Sequence, residues 1–157
     1  YYSHIYGEDW EEILETLRKM GKAFGFAYMS GRASEDEKIS RFYDPAHTKD
    51  LEKVAEIARE QRGLANKKLS LTRVQTVSRR LLAFHADFCE ELAKVAKEKA
   101  LGHNFKAERL FREMMDKVGA REEEFQRYYD HGLVNYSYNM TFKKPKKIMI
   151  EDQLANG

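Results

Sequence analysis

Cysteine is almost missing from this sequence: Cys89 is the only one in 157 residues. That excludes an intramolecular disulfide and any cysteine-built zinc cluster. Proline is nearly as scarce, at two residues, so little in the chain breaks helices. No apolar run is long enough to cross a bilayer, and no signal peptide is visible. A surplus of one charge is missing too. The 28 basic and 26 acidic residues leave a net charge of +2, which argues against nucleic acid as the partner, since a binding domain usually carries a stronger basic excess. The chain opens on Tyr1 rather than Met, from which we expect a piece of a longer polypeptide.

What is present suits one helical domain. Apolar residues make up 42% of the chain, too many for a disordered tail, and 157 residues can bury one core without disulfides or metal. The 34% of charged residues, set among many Leu and Ala, favours helices. A first helix starts near Glu8 or Asp9, after Gly7, with acidic residues at its positive end. Trp10, Ile13, Leu14 and Leu17 give it an apolar face. Gly21 and Gly25 loosen its end, and a glycine-interrupted aromatic stretch and a polar run follow. Asp44-Pro45 opens a second helix with Leu51, Val54, Ile57 and Ala58 on its face, and Gly63 is expected to end it.

The third helix carries the clearest pattern. Leu71, Val74, Val77, Leu81, Phe84, Phe88, Leu92 and Val95 recur at spacings of three and four, with Ser70 as the expected cap and Gly102 as the stop. A fourth helix is expected from about Phe105 to Tyr129, weakened in its middle by Gly119. After Gly132 the period changes to two, at Tyr136, Tyr138, Met140 and Phe142. The expected fold is therefore all-α: a bundle of three or four main helices with extended N- and C-terminal segments. Its expected organisation is a helical bundle domain over residues 1–132 and an extended tail over 133–157, read as the start of a following β domain.

No complete chemistry can be assembled from the residues. A di-iron bundle needs Glu-x-x-His pairs, but Leu82, Ala100 and Tyr128 stand three residues before His85, His103 and His131. No His-x-x-x-His pair suits zinc, and the glycine spacings fit neither dinucleotide nor phosphate loops. His85 and Cys89 lie one turn apart, but a nucleophilic dyad also needs an orienting group and an oxyanion hole. We expect a small buried thiol and a histidine hydrogen-bonded to a neighbouring helix. The pairs within Glu90-Glu91 and Glu122-Glu-Glu124 read as solvated helix faces. No catalytic residue, metal site or cofactor is expected.

Two features suit binding. The Lys143 to Lys147 run follows aromatic residues, a mix found in nucleic-acid surfaces but also in loops that protect a sheet edge. Tyr2, His4 and Tyr6, beside Tyr1, suit either stacking on a glycan or packing against another domain.

The segment Ile5-Tyr-Gly-Glu-Asp-Trp10, the glycine-containing loop after its helix, Phe42-Tyr-Asp-Pro45 and Arg73-Val-Gln-Thr-Val-Ser-Arg79 carry a resemblance. Over about the first two-thirds of the chain this pattern resembles the helical region that follows the barrel in large bacterial glycoside-hydrolase-like proteins. These are distantly similar to alpha-glucuronidases and beta-hexosaminidases, and many form an uncharacterised polysaccharide-degradation family. In such proteins the catalytic acids lie on the barrel, so none is carried over here. The resemblance implies a non-catalytic accessory domain, partnered by an upstream barrel of the same polypeptide or by a second copy, and a secreted or periplasmic location. Besides a stand-alone enzyme, which would need a site not recognisable in these residues, two other classes remain open on the residues alone. One is a protein–protein interaction module that uses a surplus apolar face of the third and fourth helices. The other is a nucleic-acid-binding domain that uses Arg79, Arg80 and the Lys143 to Lys147 run.

Overall fold

A computed structural model of the chain describes residues 1–25, 45–121 and 124. The fold is all-α, and no strand occurs among the described residues. A short helix α1, Tyr2–Tyr6, leads into α2, Trp10–Phe24. A 3-10 turn, Pro45–His47, runs into α3, Thr48–Ala65. Then come α4, Arg73–Ala100, and α5, Asn104–Gly119.

The 28 residues of α4 form a rod of about 42 Å at the usual helical rise. Every other main element leans on it or on its neighbour. Helix α3 runs antiparallel to α4, so Gln61 lies beside Leu82 at one end of the pair while Glu52 pairs with Lys97 at the other. Alanines line this seam: Ala58, Ala86, Ala93 and Ala96 are buried, and small side chains let the two backbones approach. Helix α5 packs on the C-terminal half of α4, where Val95, Ala96, Ala100, Phe111, Met114 and Val118 form the largest apolar cluster. Helix α2 adds Met20 and Ala23 to a second cluster with Val54, Ala58 and Cys89, and Ile13 to a third with Ala65 and Leu82.

Several boundaries differ from expectation, each for a local reason. Gly63 does not end α3, which continues to Ala65. A glycine inside a helix costs about 1 kcal/mol, and burial of Ala65 against Ile13 and Leu82 offsets it. Thr72, not Ser70, caps α4. Its hydroxyl accepts from the Gln75 backbone N–H at 3.2 Å, and the Gln75 side chain accepts from the Thr72 N–H at 3.1 Å, a reciprocal capping box. Leu71 therefore lies before the helix. Gly102 turns the chain with φ of 81°, as its position after α4 suggested. Helix α5 stops at Gly119. The N-terminal segment, expected to be extended, forms the short helix Tyr2–Tyr6 instead. Asp44, the glycine-rich stretch after Gly25, and everything expected after Glu124, including the tail over 133–157 and the Lys143 to Lys147 run, lie outside the described residues.

Candidate interaction surface at the first helix

Helix α1 buries none of its residues, yet it is tied down at several points. The Gln75 side-chain amide donates to the Ser3 carbonyl at 3.2 Å. Arg79, only 2% exposed, does the rest. Its Nε donates to the Tyr6 carbonyl at 2.9 Å and its Nη1 to the Leu64 carbonyl at 2.5 Å, while Nη2 pairs with the Asp9 carboxylate. One planar fork of donors thus joins the end of α1, the start of α2, the end of α3 and the body of α4, a geometry suited to arginine and not to lysine. Asp9 is itself buried, and Lys67 Nζ lies 3.6 Å from its second oxygen, Oδ2.

Asp9 holds the N-cap position of α2 without a side-chain capping bond, because its carboxylate is turned inward to Arg79. The chain reaches this geometry through Gly7, whose φ of 96° and ψ of −159° belong to a region that essentially only glycine visits. A side chain there would have room, since the nearest atom to a Cβ would be 3.6 Å away. It is the backbone conformation that calls for glycine.

On the outer side of this clasp stands an aromatic group. The Tyr2 ring stacks on Trp10, with centroids 5.9 Å apart and planes 18° from parallel, and Tyr1 meets Tyr2 edge-on at 5.3 Å. Tyr1 is 88% exposed and Tyr2 45%. Tyr6 is half-buried, and burial, with smaller contributions from Tyr2 and Tyr1, raises its phenol pKa above the ordinary tyrosine value.

The three residues singled out from sequence do not form a single constellation. Tyr2 and Tyr6 lie four apart on one side of α1, while His4, exposed, falls between them in sequence and so faces another direction. Trp10, which reads as a core-face residue in the sequence, is half-buried and completes the surface instead. Only its proximity in sequence to Tyr2 could have hinted at this.

The other candidates resolve into structural roles. The Gln61 amide nitrogen donates to the Leu82 carbonyl and to His85 Nδ1, both at 2.9 Å. The ring proton of neutral His85 therefore sits on Nε2, which lies 3.4 Å from Cys89 Sγ. His85 keeps an exposed edge, and the desolvated part of its ring against α3 holds its pKa below the ordinary histidine value. Burial pushes the Cys89 thiol up to about 12, the reverse of what an activated nucleophile needs. Among the described residues no group of three or more His, Cys, Asp or Glu side chains could hold a metal ion.

Glu90 pairs with Arg62, and Glu91 with Lys94 and Lys117, so the adjacent acids on α4 tie the bundle together. At the corner between α4 and α5, partial burial disfavours a charged Glu98, but hydrogen bonds from Lys106 and His103 outweigh it and lower the carboxyl pKa. Arg79 is buried and Arg80 pairs with Glu124, so Arg79 is no phosphate contact. The nucleic-acid reading thereby loses Arg79 as a contact residue.

Two of the shallow concavities among the described residues lie between helices. One, of about 280 Å³, lies between α4 and α5 over Phe84, Phe88, Met114 and Val118. The other, of about 460 Å³, lies between α2 and α3 and is ringed by charges of both signs. No helix among the described residues is long and apolar enough to cross a membrane. Comparisons with protein-family models, with curated proteins and with solved structures found no match to this chain.

Proposed function

We propose that this chain is a non-catalytic helical accessory module that acts by holding its α1 end against another folded protein surface. One observation carries the reading. Helix α1 adds no buried residue to the core, yet a buried arginine–aspartate pair and a glycine-only turn fix its orientation. A buried ion pair contributes little net stability compared with apolar packing, and here the Arg79 donors to Tyr6, Leu64 and Asp9 set the geometry of the α1 end. An element fixed in this way that gives the core only the half-buried edge of Tyr6 is held for its outward side, where Tyr1, Tyr2 and Trp10 stand together. Large, rigid aromatic side chains of this kind are enriched at protein contacts. In the setting implied by the sequence resemblance, the contact would be the flank of a barrel in a carbohydrate-active protein or a second copy of this chain.

Trp10 is the only tryptophan, so its emission reads this surface directly. The expected result is a blue shift and weaker acrylamide quenching when the chain sits within the complete polypeptide encoded by its gene, or on raising concentration if the partner is a second copy. Tyr1→Asp should prevent the shift without changing the melting temperature. A shift produced only by soluble oligosaccharides reassigns the surface to glycan contact. An emission unchanged in every setting overturns the proposal.

A further inference from the structure

We draw no further inference here: the strongest candidate, the groove between α4 and α5 floored by Phe84, Phe88, Met114 and Val118, has rim charges already paired with each other across it, Glu91 with Lys117 and Asp87 with Arg121, and nothing among the described residues shows what covers it.

Discussion

Replacing Arg79 with methionine should be among the most damaging single changes in the bundle. The substitution keeps much of the side-chain volume and removes the guanidinium. The Asp9 carboxylate, with its side chain 5% exposed, then stays buried with only Lys67 Nζ at 3.6 Å. The Tyr6 and Leu64 carbonyls lose their donor as well. Removing one partner of a buried ion pair costs about 3–5 kcal/mol. For a domain of this size that corresponds to a fall in melting temperature of roughly 6–20 °C. Urea unfolding followed by circular dichroism at the helical band measures the loss as a shifted midpoint with an unchanged slope. Asp9→Leu/Arg79→Met should lose less than the sum of the two single variants, by about 0.5–3 kcal/mol, because no buried charge is left behind. Arg79→Lys should fall between wild type and Arg79→Met, since one ammonium cannot serve three separated acceptors. If Arg79→Met stays within about 1 kcal/mol of wild type, the clasp does not hold the molecule as described.

Three further outcomes follow from the same geometry. Gly7→Ala should destabilise by about 1–3 kcal/mol through backbone strain alone, and a crystal structure of the variant should show a changed turn rather than a steric clash at Arg79. Cys89 should react with a thiol-specific reagent far more slowly in the native protein than in urea, and His85→Ala should not slow it further; fast native labelling would contradict a thiol raised to about 12. His85 has a folded pKa below its unfolded value of about 6.5. Its contribution to stability is therefore fully present above that pH and is lost as the pH falls below it, because the unfolded chain then binds the extra proton. His85→Gln should flatten the stability profile between neutral and mildly acidic pH, and an identical slope in the variant would remove His85 as the cause.

Long periodic segments announced themselves in the sequence. The apolar stripe of α4 and its stop at Gly102 were readable because seven side chains within the helix, Val74 to Val95, repeat one helical phase and a glycine follows a basic last turn. The starting cap was harder. Ser70 and Thr72 offer the same hydroxyl chemistry, and Thr72 is singled out only by Gln75 three residues later, which closes the box. Gly63 misled because intrinsic propensity is a weak force beside burial of the residues after it.

Arg79 was the least legible. Periodicity treats a charged residue on a helix as solvated, and nothing local marks one whose partner lies 70 positions away. The aromatic surface was half legible: Tyr2 stands out in the sequence as an aromatic residue beside the first helix, whereas the helical phase of Trp10 points to the core and not to its stack on Tyr2. His4 lies two residues from both Tyr2 and Tyr6, and one turn of helix sets it in a different direction from them.

Helix α4 supplies side chains to all three apolar clusters, with Leu82 at the α1 end, Cys89 and Ala93 in the middle, and Val95 through Ala100 against α5. The clusters consequently have no independent existence. A single rod of hydrogen-bonded backbone joins the two ends of the bundle, so we expect the domain to unfold as one cooperative unit rather than as a chain of subdomains. A partner that stiffens the first turn of α4 would slow amide exchange in the helix turns facing α5, although it touches none of them.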